Sequence, residues 1–474
     1  MTRIRPLAAA FARAALLAPL SLAACYSGAE LDDLDVDDRK TQASVKYNTN
    51  GYSLHLTEDL RFDAVNPNAD VARGQAVFGL AEDGINEDKT DALFEGESFV
   101  FGGPVVSNER TCFTCHRGPD VEFGLPDLPL SDHVAADDAL FTGINADSGG
   151  DPDGLHNLDE LGLIKYRINR LNPTLQTEDP FKQVFGWRKT PQLLNIGLAH
   201  GFLNDGRGRV MFETARGAVF SHTQETDNRF DDMIMARRSD FDDMEAFMFS
   251  LVSQPELLAL RDPNDPMHDA LANDPFYTVD LDADDPDPWT KKLRKTGKKV
   301  FKANCMGCHD TPNVFNNLAS ADGTGNGTDR PEDFAALAPS VGRTFNVGVA
   351  EQNVHGLRFT RFVGLDINDE PVYEPIVLQL ANEDGSINEH EVTFDIGLAA
   401  TTARTADIGR FKVPQLRNLA ANAPYFHDNS AATLEDVVDY FNSDAYNDSA
   451  DGQLFPIHMS YWERVALVSF LEIL

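Results

Sequence analysis

Cys112-Phe113-Thr114-Cys115-His116 recurs later in the chain as Cys305-Met306-Gly307-Cys308-His309. C-x-x-C-H sets two thiols one helical turn apart with a histidine beside the second. The two thiols can add to the two vinyl groups of one porphyrin, and the histidine then lies beneath the ring as an iron ligand. This is the attachment signature of c-type haem. Two copies predict two covalently bound haem c groups, on Cys112 and Cys115 and on Cys305 and Cys308, with His116 and His309 as proximal ligands. The chain has five cysteines; the fifth is Cys25, so none is left to form a structural disulfide. A zinc site built from two C-x-x-C pairs needs them about 15–20 residues apart. Here they lie in opposite halves of the chain, which argues against zinc.

Residues 1–24 carry Arg3, Arg5 and Arg13, no acid, and an apolar run of alanine and leucine too short to span a bilayer. They end in Leu22-Ala23-Ala24-Cys25, which resembles a bacterial lipobox. The expectation is a signal peptide over 1–24, lipidation of Cys25 and a periplasmic, lipid-anchored protein. An ordinary signal peptide with an incidental cysteine is the alternative. Tyr26 stands where an aspartate would retain a lipoprotein in the inner membrane, which points to the outer one. Lysine and arginine total 40 against 76 acids, a net charge of −36. That excludes the basic footprint a nucleic-acid binder needs. It favours long-range steering of a basic protein partner, or serves solubility alone.

Composition divides the rest. Residues 25–45 are an acidic tether, 46–260 an N-terminal haem domain, 261–288 an Asp- and Pro-rich linker and 289–474 a C-terminal haem domain. Within them, 70–78 reads as a short helix, 119–157 as a polar loop, and Phe241, Met244, Phe247, Met248 and Leu251 follow helical spacing. In the loop, Asp147 to Gly154 misses the spacing of an EF-hand calcium loop. The halves repeat one another. Pro191-Gln192-Leu193-Leu194-Asn195 matches Pro414-Gln415-Leu416-Arg417-Asn418, Asp205 matches Asp428, and Gly74-x-x-Val77-Phe78 matches Gly297-x-x-Val300-Phe301. The expected fold is mainly α, with two tandem cytochrome c-like haem domains related by this repeat.

Over most of residues 70–474 the chain resembles the bacterial di-haem cytochrome c peroxidase/MauG superfamily. The likeness is strongest at Arg410-Phe411-Lys412-Val413-Pro414-Gln415-Leu416-Arg417-Asn418 and Ala423-Pro424-Tyr425-Phe426-His427-Asp428-Asn429. The resemblance implies that hydrogen peroxide is reduced at the first, peroxidatic haem. The second haem would pass on electrons from a small donor such as a cytochrome c. Calcium is a candidate further cofactor and a homodimer a candidate assembly.

Four positions depart from that pattern. The family's catalytic glutamate falls at Gln224, which cannot carry a proton, so Glu225 or His222 would take the acid–base role. The sixth ligand of the second haem falls at Phe441, on a helix expected to start at Thr433. Tyr440 is turned about 100° away on that helix, and Met459 and His458 are the nearest other candidates, Met459 being equally suited to a core. A distal His-Gly-Trp corresponds to Phe185-Gly186-Trp187, which would leave the first haem open. Between the haems, an expected tryptophan falls at Asn204. There the family's calcium would meet Lys189 beside the carbonyls of Asn422 and Pro424, and a lysine ammonium could fill such a site itself. The expected activity is peroxide reduction. MauG-like oxidation of a protein or organic substrate, or plain electron carriage, are the alternatives.

Overall fold

The computed structural model describes residues 65–79, 110–168, 184–199, 201–208, 211–222, 238–309, 312–316 and 344–474. The expected signal peptide over 1–24, Cys25, the expected acidic tether, Gln224 and Glu225 lie outside them. The N-terminal half holds α1 (Val71–Phe78), α2 (Cys112–Cys115), α3 (Asn145–Ser148), the antiparallel pair β1 (Leu163–Ile168) and β2 (Val184–Lys189), α4 (Met211–His222) and α5 (Arg238–Ser250). The C-terminal half opens with α6 (Pro288–Asn304) and closes with α7 (Leu434–Phe441) and α8 (Tyr461–Leu471). Between them, β3 (Thr344–Phe345) pairs with β8 (Phe411–Lys412), enclosing the hairpins β4 (Thr360–Leu365)–β5 (Pro371–Pro375) and β6 (Val377–Ala381)–β7 (Ile387–Glu391). Among the described residues, no helix is long and apolar enough to cross a membrane.

Each motif sits against the same packing arrangement. The Asp70 carboxylate caps α1 through the amides of Ala72 and Arg73, and α1 buries Gly74, Val77 and Phe78. Gly74 is required because a Cβ there would run into the Asp243 carbonyl of α5. In the other half, Gly297 of α6 meets the Ala466 carbonyl of α8 in the same way. The helices come close enough for three phenylalanines to interlock. Phe78 lies edge-on to Phe123 at 6.2 Å and to Phe247 at 5.3 Å between ring centroids. Phe301 meets Phe315 at 5.6 Å and Phe470 at 5.5 Å. Burying such a side chain contributes about 1.5–3 kcal/mol, so both triads are major parts of their cores.

The matched loops also share backbone geometry. Asn195 (φ 61°) and Asn418 (φ 63°) are both left-handed and each opens a 3-10 turn, over Ile196–Leu198 and Leu419–Ala421. Leu203 (φ 68°) and Phe426 (φ 69°) repeat this eight residues on. Asparagine tolerates the conformation; for leucine and phenylalanine it is strained, and surrounding contacts must hold it.

Three expectations change. The stretch 119–157 is not one loop: it folds into short helices and buries Asp147 and Asp151. Residues 261–288, Asp- and Pro-rich, carry a helix over His268–Asn273 and place Phe276 in the core beside Phe301 and Phe470. Composition missed both because the acids face caps and ion pairs while sparse apolar residues do the packing. The halves also share a core: Leu163, Val184, Phe185 and Trp187 of β1 and β2 pack with Leu378, Leu380, Ile396 and Ala399 from the C-terminal half. Arg188 binds Asp205 in its own half at 2.8 Å and Asp395 across the joint at 2.6 Å, all three buried. The short helix expected over 70–78 and the helix beginning after Thr433 are present, the latter with Thr433 and Asp436 in a capping box, and the helical spacing of Phe241, Met244, Phe247 and Met248 falls on α5, which ends at Ser250, before Leu251.

Candidate active site

Both C-x-x-C-H histidines are fixed by a backbone carbonyl. His116 Nδ1 lies 3.0 Å from the Phe123 carbonyl and His309 Nδ1 2.9 Å from that of Phe315. A carbonyl only accepts, so Nδ1 carries the hydrogen and Nε2 keeps the lone pair. Phe123 (φ 59°) and Phe315 (φ 58°) are both left-handed, which turns each carbonyl towards its histidine. Burial pushes both imidazoles down to about 4; the Phe123 and Pro191 carbonyls oppose this at His116, as Phe315 does at His309. Both rings are therefore neutral at pH 7.

None of the four motif cysteines is in a disulfide. Burial pushes Cys112 and Cys305 up to about 12 and Cys115 to about 11, so they stay as thiols. Neutral histidines of one tautomer beside pairs of protonated thiols on a single turn fit two haem c groups. His116 and His309 would ligate iron through Nε2, and the thiols would hold the porphyrins.

The surroundings then diverge. Beside the first motif, Arg110 is 1% exposed. It donates to the Ala139 carbonyl at 2.9 Å, to the Leu140 carbonyl at 2.7 Å and to Asp147 of α3 at 2.5 Å. The other Asp147 oxygen pairs with His222 Nδ1 at the end of α4. Burial pushes the Asp147 carboxyl up, but Arg110 and His222 outweigh it and hold the group below the usual carboxylate range. Tyr166 stands edge-on to His222 at 5.3 Å. The cluster faces the motif: Cys115 feels the charges of Arg110 and Asp147, and His116 feels that of His222. His222 is thus in a half-buried, hydrogen-bonded position. Sequence reasoning named it but missed Arg110, Asp147 and Tyr166, which lie far apart in the chain and meet only in the fold. Only Arg110, two residues before Cys112, carried a positional hint.

Beside the second motif lie an aromatic cluster with two phenols and, over the Phe315 ring, the buried Arg417, which donates to the Asn313 carbonyl at 2.7 Å and to Thr278 at 2.8 Å. Phe441 packs on Tyr446 at 5.0 Å and on Phe426 at 6.0 Å. Tyr440 is not turned out of this cluster: it stacks edge-on to Phe426 at 5.2 Å, and its hydroxyl donates to the Val347 carbonyl at 2.7 Å. Tyr446 donates to the Phe455 carbonyl at 2.9 Å. Burial raises its phenol, and Cys308 and Cys305 add to the effect, which sets it beside the motif. Met459 is buried in the same core and its amide donates to Asn442 Oδ1 at 2.5 Å; His458 is exposed.

The remaining positions lie at the joint. Phe185 and Trp187 are buried in the shared core, Trp187 Nε1 donating to the Arg358 carbonyl at 3.1 Å. The Asn204 carbonyl accepts from the Lys412 amide at 3.0 Å. The oxygens expected to hold calcium are taken: Lys189 Nζ donates to Pro424 O at 2.6 Å and to Asn422 O at 3.0 Å.

No family model matches the chain. It is 27% identical over 183 residues to the cytochrome-c peroxidase IdrP2 of Denitromonas iodatirespirans, a match covering 38% of this chain and 39% of that protein. With the protein of the same name from Pseudomonas sp. (strain SCT) it shares 25% identity over 300 residues, 60% of this chain and 67% of the relative. A third similarity, 39% over 79 residues, is to the methylamine utilization protein MauG of Methylorubrum extorquens, covering 16% of this chain and 22% of that one. Among solved structures, a MauG-like protein associated with microbial copper homeostasis superposes with a TM-score of 0.41 at 15% identity, over 87% of this chain and 92% of that one. The matched stretch spans well under half of the first relative's length.

Proposed function

This chain is a relative of the bacterial di-haem cytochrome c peroxidase/MauG superfamily, and on that premise we propose that it reduces hydrogen peroxide with electrons from a small redox protein such as a cytochrome c. In this reading it comprises two tandem haem domains, over 46–260 and 289–474, and is lipid-anchored through Cys25 on the periplasmic face of the outer membrane. The observation that carries the reading is the His222–Asp147–Arg110 chain, with Asp147 and Arg110 buried and His222 half-buried, which stands beside the first motif and has no like at the second among the described residues.

Bound haem would supply the electrons and the metal centre. The overall change is H2O2 with two electrons and two protons to two waters. O–O cleavage needs a group that takes a proton from one oxygen and returns it to the other. His222 is suited to that role, because Asp147 holds Nδ1–H, which leaves the lone pair on Nε2, and an ionised partner stabilises the charge His222 gains. Arg110 keeps Asp147 ionised and in place. Glu225, three residues beyond, remains the other acid–base candidate. The test is oxidation of reduced cytochrome c by the di-haem protein on adding peroxide, with His222→Gln as control. A di-haem wild type that oxidises no reduced cytochrome, before or after prior reduction, overturns the reading.

Phe441 favours a second reading, MauG-like oxidation of a protein or organic substrate. A phenylalanine in an all-aromatic cluster offers the second iron no lone pair. Electron paramagnetic resonance with and without peroxide separates the readings. A high-spin iron that reacts and then needs a donor supports the peroxidase, and a long-lived oxidised protein without donor supports the MauG-like enzyme. Two unreactive low-spin signals would leave an electron carrier.

A further inference from the structure

Calcium, the cation the resemblance places between the halves, does not fit this chain. We propose instead that Lys189 and Lys412 are a reciprocal pair of tethered cations: each half reaches one lysine into the carbonyl loop of the other, closing the joint without a free divalent ion.

The repeat makes the pair visible. Each lysine lies two residues before the matched proline, Pro191 or Pro414. The Lys189 amide donates to the His427 carbonyl at 2.7 Å, and the Lys412 amide to the Asn204 carbonyl at 3.0 Å. Asn204 and His427 each directly precede the matched aspartates Asp205 and Asp428. The side chains repeat the exchange. Lys189 Nζ donates to Pro424 O at 2.6 Å, and Lys412 Nζ to Gly201 O at 3.2 Å, each acceptor four residues before its aspartate. The two halves therefore swap the same contacts across a local pseudo-twofold relation. Arg188 and Phe411, the residues just before the lysines, meet each other with the guanidinium 5.2 Å from the ring centroid.

The Lys189 end has the chemistry of an ion cage. Its ammonium donates to Asn422 O at 3.0 Å, Asn422 Oδ1 at 3.2 Å and Pro424 O at 2.6 Å, one oxygen for each of its three N–H groups. Among the described residues no carboxylate pairs with it. Calcium takes about 6–8 oxygens at 2.3–2.6 Å, so it would need these same carbonyls and would meet a fixed positive charge. Burial pulls both ammonium groups down to about 8, Asp205 opposing it at Lys412, so both remain charged at pH 7.

The test uses the di-haem protein and reads thermal unfolding and calcium uptake, so its result is independent of peroxidase activity. Wild type is expected to unfold at the same temperature with excess EDTA or millimolar calcium, and to take up none in calorimetry. Lys189→Met should lower the midpoint by at least about 2 °C. Lys189→Gln, which restores an amide oxygen and removes the charge, should regain stability in calcium. Lys412→Met should lower the midpoint, and the double variant should be non-additive because both act on one joint. Destabilisation of wild type by EDTA, calcium uptake by wild type, or an unchanged midpoint in Lys189→Met would each overturn the proposal. If the methionine variant does not fold, the wild-type chelation and uptake measurements decide alone.

Discussion

The surroundings of His116 and His309 differ far more than the frames that hold them. Each frame has a glycine that lets two helices touch, a phenylalanine triad and a left-handed phenylalanine whose carbonyl fixes the histidine. Past that frame, the first site meets Arg110, Asp147 and His222, while the second meets Phe426, Tyr440, Phe441 and Tyr446. Burial raises the Tyr440 and Tyr446 phenols above their ordinary range, whereas His222 is bonded to a carboxylate, the geometry acid–base chemistry needs. A duplicated frame can thus keep two cofactors in equivalent settings while the residues outside it divide the labour.

The largest effect should come from His222→Gln, a loss of about 100- to 10,000-fold in peroxide turnover with haem absorbance unchanged. An equal loss from Tyr446→Phe at the second site would break the comparison. Next is Asp147→Asn, expected to cost about 3–5 kcal/mol in chemical denaturation because the buried Arg110 guanidinium loses the carboxylate bonded to it. Its acid dependence has a definite sign. Asp147 has a lowered carboxyl in the folded state, so its stabilisation is present above the unfolded value of about 3.9 and is lost as pH falls through the folded one. The variant should lose that part of the acid-unfolding slope.

Gly74→Ala and Gly297→Ala test the frames themselves. Each pushes a methyl into a facing helix carbonyl and should cost about 1–3 kcal/mol, by similar amounts in the two halves. Strongly unequal costs would show that the frames are alike only in outline. The smallest effect is the stability cost of Tyr446→Phe, about 0.5–1.5 kcal/mol for its bond to the Phe455 carbonyl, with peroxide reactivity intact.

Much of this was legible in the chain because it is local. The haem motifs, the α1 and α5 helices, the Thr433 cap and the matched Pro-Gln-Leu segments depend on residues within a few turns of one another. Phe441 was legible too, as an apolar residue on a periodic stripe. Loop-like composition misled where function is densest: the acids of 119–157 and 261–288 looked solvated. In fact Asp147 is buried against Arg110, and the second stretch packs Phe276 into a phenylalanine core.

By itself the sequence determined two C-x-x-C-H motifs, matched segments in the two halves and the identity of each departure from the family pattern, since each is a matter of residue type and spacing. Only the tertiary structure decided what those residues do to one another. Arg110, Asp147 and His222 become one hydrogen-bonded group, and Lys189 and Lys412 each reach carbonyls of the other half, because hydrogen bonds and desolvation act over a few ångströms in space. Separation along the chain carries no information about such contacts until the two halves are folded together.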